Sequence, residues 1–146
     1  MTLLDAQALV AFLCGEPAAS EVAALLRDAG DHPSISAVNV AETLDVMVRM
    51  KGRTAEEVDE KLDWLEGAGL VVVAIDGTLA RAAGRLRAKH YVRSQRPVSL
   101  ADCVALATAL AIGGRLATSD GPLAAVARSE GCTLVALPDS RGVRPL

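Results

Sequence analysis

Short apolar, β-prone runs alternate along this chain with longer segments that have helical periodicity. Strands are predicted at about residues 2–4, 33–37, 70–75, 116–118 and 133–137, with helices between them. Because strands joined through helices pair in parallel, this alternation predicts an α/β fold, a three-layer αβα sandwich around a central, mostly parallel five-stranded sheet. The 146 residues suit a single domain, 1–146, with its core over about residues 2–137 and a short, loose C-terminal tail at 141–146.

Local end signals position the predicted helices. The first lies at about residues 6–13, and the second runs from the Gly15-Glu16-Pro17 break to about residue 28. The other five lie at about 39–50, 54–66, 78–92, 100–112 and 122–129. Thr54 and Glu57 have the spacing of a capping box. Asp76 follows a predicted strand, and N-capping of the next helix is its best interpretation.

Composition and charge exclude several classes of protein. The chain has 15 Lys and Arg against 18 Asp and Glu, and its net charge of −3 argues against binding nucleic acid over the whole surface, so any such contact must be local. The apolar runs are far shorter than a membrane span, which predicts a soluble, cytoplasmic protein. Three widely spaced cysteines predict buried thiols. Because the chain has only two histidines, any enzymatic chemistry is expected to depend on carboxylates.

Two carboxylates follow predicted strands one and four. Asp5 ends the first strand, and Asp120 lies just past the fourth. In doubly wound sheets the ligand binds beyond the carboxyl ends of the strands, where the strand order reverses, so these side chains converge if the two strands are neighbours. Glu42 and Asp102 lie in first turns of helices, within apolar sequence where burying an isolated charge is costly.

Each acid also has a purely structural interpretation. Ser99 and Asp102 have the spacing of a capping box. Asp120 precedes a Gly-Pro pair, where an Asp commonly starts a turn or a helix, and Glu42 suits the helix dipole. Capping explains Asp5 in part. The residues alone leave both interpretations open.

If the four acids meet, their mutual repulsion requires a compensating charge. A divalent cation is the usual one, and oxygen ligands without Cys or His select Mg²⁺ or Mn²⁺. Such ions activate water and stabilise the charge that develops on a phosphodiester. Metal-dependent phosphodiester hydrolysis is therefore the chemistry that this hypothesis favours.

Four segments of the chain carry a family resemblance. They are Leu3-Leu4-Asp5 at the N-terminus, Val40-Ala41-Glu42 opening a helix, Ser99-Leu100-Ala101-Asp102-Cys103 before an Ala-rich helix, and Ala117-Thr118-Ser119-Asp120-Gly121 after a strand. In order, spacing and chain length they resemble the PIN domain. The resemblance is closer still to the VapC-like ribonuclease toxins of bacterial toxin–antitoxin pairs, and it spans about residues 2–137.

The resemblance implies that four acids are both the catalytic residues and the ligands of Mg²⁺ or Mn²⁺: Asp5, Glu42, Asp102 and Asp120. It also implies that Thr118 and Ser119 support cleavage of RNA. Gln7 departs from the family's pattern, because Ser, Thr or Asn often stands two residues after the first acid. Its longer side chain can still donate a hydrogen bond to a metal-bound water or a phosphate.

Basic residues concentrate between positions 81 and 96, a stretch that contains no acid. Five of them are candidate contacts to RNA: Arg81, Arg85, Lys89, Arg93 and Arg96. The first three recur every fourth residue on one face of a predicted helix, which suits a stripe of phosphate contacts. A solvated helix face, whose cations suit the helix C-terminus, explains the pattern equally well.

The resemblance also implies two protein partners. One is a second copy of the chain, giving a homodimer. The other is a small cognate antitoxin that covers the active-site groove, where an antitoxin arginine suits the clustered carboxylates. Trp64 is expected in the core rather than at an exposed partner contact.

Two other functions are left open by the residues. In a catalytically silent PIN-like or receiver-like binding module, the acids cap helices or hold a structural ion, and the atypical Gln7 favours that alternative. An aspartyl phosphatase is disfavoured because no second Asp follows Asp5 by two residues. A metal-dependent ribonuclease is the function that the sequence favours.

Overall fold

The computed structural model describes residues 1–146, and all twelve predicted strands and helices are present, with bounds within about two residues of those expected. The strands are β1 (Thr2–Leu4), β2 (Ser34–Ser36), β3 (Val71–Val73), β4 (Arg115–Thr118) and β5 (Leu134–Ala136). The helices are α1 (Ala6–Cys14), α2 (Ala19–Arg27), α3 (Ala37–Arg49), α4 (Ala55–Gly67), α5 (Gly77–His90), α6 (Leu100–Ala111) and α7 (Gly121–Ser129).

The five strands form one sheet in the order β3-β2-β1-β4-β5, and every pairing is parallel. Strand β1 lies at the centre, where Leu3 is in register with Ser34 of β2 and with Leu116 of β4. From β1 the chain first builds outward to β2 and β3, and then returns to the other side of β1 to add β4 and β5. The strand order therefore reverses between β1 and β4.

Apolar residues cover both faces of this sheet. Because successive side chains on a strand point to opposite faces, Leu3 packs into the core beneath α5, α6 and α7, whereas Leu4 packs into the core beneath α1 to α4. Both leucines are fully buried. The result is the predicted three-layer αβα sandwich.

Trp64 corrects one expectation from the sequence, because 67% of its surface is exposed rather than buried in the core. On α4 the buried positions are Val58, Leu62 and Leu65. At about 100° per residue, Trp64 is turned away from Leu65 by roughly 100° and from Leu62 by roughly 200°. The helix buries a narrow stripe, and the tryptophan lies outside it.

The C-terminal tail is the second correction, since it is attached rather than loose. The Arg144 guanidinium donates to Glu21 on α2 at 2.7 Å and to the Ala136 carbonyl at 2.6 Å. Asp139 closes a turn by accepting from the Val143 N–H at 2.9 Å.

No single helix is both long and apolar enough to span a membrane. The pair α1 and α2 reaches the required length only together, and the two helices meet at 107°.

Leu116 allows a test of the two-faced core. It is fully buried in β4, whereas Leu110 on α6 is 39% exposed. We expect Leu116→Ala to lower the free energy of unfolding by about 2–5 kcal/mol, because it removes buried methyl groups and leaves a cavity. Leu110→Ala should cost less than about 1 kcal/mol. Urea denaturation followed by circular dichroism measures both, and equal losses would contradict the assigned core.

Candidate active site

Asp5 directly follows β1 and begins α1. Its Oδ1 accepts a hydrogen bond from the Ala8 N–H at 2.7 Å, which caps the helix. Only 2% of the residue is exposed, and Oδ2 is buried without any hydrogen-bond partner. An ionisable oxygen buried without a partner is costly, and such a group is often explained by a ligand or an ion.

The electrostatics of Asp5 reflect that burial. The pKa of Asp5 is raised from 3.8 to about 7, mainly by desolvation, and the negative charges of Asp102 and Asp120 contribute to the rise. The Thr118 hydroxyl and the Ala8 N–H oppose the rise, but neither satisfies Oδ2. Two other acids therefore lie close enough to destabilise the Asp5 carboxylate.

Asp120 follows β4 and begins α7. Its Oδ1 accepts from the Leu123 N–H at 2.6 Å, and Pro122 in the first turn favours the helix start. The Asp120 N–H donates to the Thr118 hydroxyl at 3.0 Å. Since β1 and β4 are neighbours, Asp5 and Asp120 lie at the point where the strand order reverses, as the sequence predicted.

Asp102 lies in the first turn of α6 and forms a capping box with Ser99. Its Oδ2 accepts from the Ser99 N–H at 2.7 Å, and its own N–H donates to the Ser99 hydroxyl at 3.0 Å. Burial raises the pKa of this carboxyl, and the charge of Asp120 raises it further. The structural interpretation of the Ser99–Asp102 pair is correct, and the carboxylate still faces the other acids.

Glu42 lies on α3 and is half-buried. Burial raises its pKa, and the charges of Asp102 and Asp120 contribute to the rise. Its Oε2 lies 3.4 Å from the Asn39 side-chain nitrogen, which lies at the same distance from the Ala101 carbonyl. Asn39 thus links the helix that carries Glu42 to the residue before Asp102.

The sequence reasoning missed Asn39. This side chain is fully buried and also bonds to the Ser36 hydroxyl. The available signal was a polar residue three positions before Glu42, one helical turn away, in an otherwise apolar stretch.

The four acids share one arrangement. Each uses one carboxylate oxygen for a hydrogen bond with an adjacent turn or with its own helix, and each has a second oxygen outside that bond. Asp76 shows what capping alone gives: it also caps a helix after a strand, through the Leu79 N–H at 2.9 Å, but it is exposed. Capping therefore does not explain why the four acids converge.

The cluster fits a divalent cation in its chemistry. Its donors are all carboxylate oxygens, the set that Mg²⁺ and Mn²⁺ prefer, and the orphaned Oδ2 of Asp5 lacks a counter-charge. In the conformation described here, no three Asp, Glu, His or Cys side chains are arranged so that they could hold one ion. Ion binding would therefore require these side chains to move closer together.

The supporting residues lie at the rim of this cluster. Thr118 is buried at the end of β4, and the Ser119 hydroxyl donates to the Gln7 side-chain oxygen at 3.1 Å. A cleft of about 390 Å³ opens beside them. Its lining includes Gln7, Glu42 and Ser119 together with Glu16, Lys51 and Asp139.

The basic segment is only partly free to bind a ligand. Arg81 and Arg85 are exposed on α5, but the Lys89 ammonium is bound to Glu130 at 2.7 Å, and His90 bonds to the same carboxylate. Asp120 caps the start of α7 and Glu130 caps its end, so the nine residues of this helix separate the Lys89–Glu130 contact from Asp120. Two further cations belong to the connection between α5 and α6: Arg93 and Arg96.

Comparison with known proteins agrees with the fold. The family model of the PIN domain matches residues 2–129. No curated protein matches the chain by sequence.

Several solved structures have a similar fold. One is the VapC20 toxin of Mycobacterium tuberculosis, which cleaves the sarcin–ricin loop (TM-score 0.68, 16% identity, 86% of this chain and 94% of that chain covered). Another is VapBC-1 of nontypeable Haemophilus influenzae (TM-score 0.66, 17% identity, 96% and 98% covered). A third is FitAcB of Neisseria gonorrhoeae (TM-score 0.64, 22% identity, 92% and 96% covered).

The raised pKa of Asp5 predicts a pH-dependent stability when metal is removed. Between its ordinary pKa of 3.8 and the folded value of about 7, the folded chain binds more protons at Asp5 than the unfolded chain does. Stability therefore falls as the pH rises through this range, and the loss is complete above it. Asp5→Asn cannot ionise and avoids this loss.

We subtract the free energy of unfolding of the natural chain from that of Asp5→Asn. We expect this difference to increase by about 2–3 kcal/mol from about pH 5 to about pH 8. Urea denaturation in EDTA measures the difference. Asp76→Asn is the matched control, and its difference from the natural chain should stay constant over the same range. A difference that stays constant for Asp5→Asn as well would contradict the assigned titration.

Proposed function

The chain belongs to the PIN domain family, and from its four converging carboxylates we propose that it is a divalent-metal-dependent ribonuclease and the toxin of a VapC-like toxin–antitoxin pair. The observation that carries this proposal is the buried Asp5 oxygen without a partner, at the point where the strand order reverses. A chain that needed Asp5 only as a cap could have used Ser or Asn without burying a charge. The retained carboxylate favours a charged ligand.

The ion would be held by the second oxygens of four residues, and we assign them as ligands and catalytic residues: Asp5, Glu42, Asp102 and Asp120. When bound, Mg²⁺ or Mn²⁺ neutralises these carboxylates, makes a bound water more acidic and stabilises the charge that develops on the phosphodiester.

The protein's own groups orient the reactants. Hydrogen bonds to the helix starts fix one oxygen each of Asp5, Asp102 and Asp120, so that the other oxygen of each is presented to the site. We assign to Glu42 the positioning of the attacking water, because Asn39 holds one of its oxygens. Thr118 supports Asp120 through the backbone N–H.

Gln7 and Ser119 hydrogen-bond each other at the rim of the cluster. We assign to this pair a supporting contact with the scissile phosphate or its water, a role that the longer glutamine can fill because it reaches across to the serine. Along the basic segment, the free guanidinium groups of Arg81 and Arg85 are the stronger candidates for backbone phosphate contacts, together with those of Arg93 and Arg96.

One observation favours a second candidate function, a catalytically silent binding module. Three of the four acids already have a capping role, and the conformation described here holds no preformed metal cluster. Such a module would bind metal or partner without cleaving RNA. Turnover therefore separates the two functions.

Substitution of the cluster tests the ribonuclease. In Mn²⁺, the natural chain should cleave single-stranded RNA, and EDTA should abolish cleavage. Asp102→Asn and Asp120→Asn should each lower kcat at least about a hundredfold, because each removes a charge that binds the ion. Discontinuous cleavage assays on a labelled oligoribonucleotide measure these rates.

Asp76→Asn again provides the matched control, since it changes the same functional group at a helix N-cap outside the cluster. It should cleave at the natural rate. Undiminished cleavage by both Asp102→Asn and Asp120→Asn would overturn the assigned site. A natural chain that binds Mn²⁺ without cleaving RNA would support the silent module.

The partner proposed for the toxin is a small antitoxin. Trp64 borders an apolar cleft of about 450 Å³ between α1, α2 and α4, which is lined by residues such as Phe12, Leu26, Ala68 and Leu70. An exposed tryptophan beside an apolar cleft is typical of an interface anchor. One structure of similar fold is a toxin–antitoxin complex, and we assign this cleft to the apolar face of an antitoxin helix. We also propose a homodimer, for which the family resemblance is the support.

Trp64→Ala tests this cleft. It should weaken binding of the antitoxin by more than about tenfold, because an anchoring aromatic side chain contributes about 2 kcal/mol or more, and it should leave RNA cleavage unchanged. Titration calorimetry with the proposed antitoxin, to be sought as the product of a small reading frame directly upstream, measures the affinity. The control is Leu110→Ala, on the opposite layer of the sandwich. If both variants bind the antitoxin as the natural chain does, the cleft is not its site.

A further inference from the structure

Lys51 is the single basic side chain among the residues that line the cleft beside Glu42. It follows the end of α3, the helix that carries Glu42. Within the same lining, Glu42, Val46 and Met50 are spaced four residues apart, so they form one stripe along this helix and its end. The stripe leads from the acidic cluster to Lys51 over roughly 12 Å of helix axis.

Lys51 is held over this cleft by an ion pair with Glu16, in the connection between α1 and α2. The Lys51 Nζ lies 3.1 Å from Glu16 Oε1, and both side chains are partly exposed, at 37% and 26%. The hydrogen bond to Glu16 raises the pKa of Lys51, so the ammonium stays charged. Partly exposed ion pairs contribute little to stability, so exchanging this carboxylate for another anion costs little.

The position of Lys51 has a consequence for RNA binding. Three carboxylates line the cleft, those of Glu16, Glu42 and Asp139, and they repel a phosphate backbone. The one cation of the cleft lies roughly 12 Å along the α3 axis from Glu42, a distance that suits a neighbouring nucleotide rather than the scissile bond. An ammonium is a common phosphate-binding group that acts as a point charge. Without Lys51, the lining of this cleft would hold only acidic and neutral side chains.

We propose that Lys51 binds a backbone phosphate that flanks the scissile bond of single-stranded RNA, and that Glu16 competes with that phosphate for the same ammonium. The inference rests on the proposed ribonuclease function, because it assigns a substrate contact to that site. Lys51 is a substrate-binding residue in this scheme, and Glu16 limits the affinity for RNA.

The scheme predicts opposite effects for the two members of one ion pair. Lys51→Met should raise KM for a single-stranded oligoribonucleotide about tenfold and leave kcat nearly unchanged, because it removes a charged phosphate contact. Glu16→Gln should lower KM by a few fold, since it releases the ammonium. Lys51→Arg should retain most of the affinity.

A purely structural ion pair predicts something else. Removing either partner would then shift stability and KM in the same direction. Salt dependence gives an independent measurement: Lys51→Met should reduce the slope of log affinity against log salt concentration by about 0.7, the value for one phosphate contact on a single strand.

Two control variants change charge by the same amount outside the cleft. Lys61→Met and Glu56→Gln alter exposed residues of α4, and neither should change KM more than about twofold. If Lys51→Met and Glu16→Gln shift KM in the same direction, or match these controls, the inference is overturned.

The same variants separate this inference from the proposed function. Fluorescence anisotropy of a labelled single-stranded oligoribonucleotide in EDTA measures binding without cleavage. If the natural chain fails to cleave RNA while the two variants still move its affinity in opposite directions, the ribonuclease is wrong and the Lys51 contact stands. If the natural chain cleaves RNA but the variants do not diverge, the contact is wrong and the ribonuclease stands.

Discussion

Parallel pairing of β1 with β4 is the constraint on which the candidate site depends. Because all five strands are parallel, their carboxyl ends share one edge of the sheet, and the chain leaves β1 and β4 toward opposite sides. Asp5 and Asp120 each begin a helix there, so both carboxylates are brought to the gap between the diverging connections. The core on either side of β1 fixes this pairing, since a slip of one residue would turn Leu3 and Leu4 to the wrong faces.

Capping and charge repulsion act on the same carboxylates in this site. The hydrogen bond from the Ala8 N–H orients Asp5, but the buried Oδ2 has no partner and is repelled by the charges of Asp102 and Asp120. The helix starts therefore supply rigid positions without supplying enough positive charge. A bound cation would relieve the repulsion, and the capping bonds would persist while the carboxylates move closer together around it.

Much of this arrangement was predictable from the sequence, because strand and helix periodicity is local. The positions of Asp5 and Asp120 at strand ends could be read directly, but their proximity required the strand order, which depends on contacts across the whole chain. Asn39 was missed because its link to Ala101 joins residues 62 positions apart. Trp64 was misplaced because burial on a short amphipathic helix depends on the width of the covered stripe, which composition does not report.

Helix α3 connects these observations physically. Asn39 in its first turn bonds toward the carbonyl before Asp102, Glu42 follows one turn later, and Lys51 lies just past its end. A helix of 13 residues is stiff, so α3 fixes the spacing between Glu42 and the segment that carries Lys51. One rigid element therefore places both Glu42 and the single cation of the cleft. A net charge of −3 is compatible with a local phosphate contact, because the positions of the charges, rather than their sum, set the field that a phosphate meets.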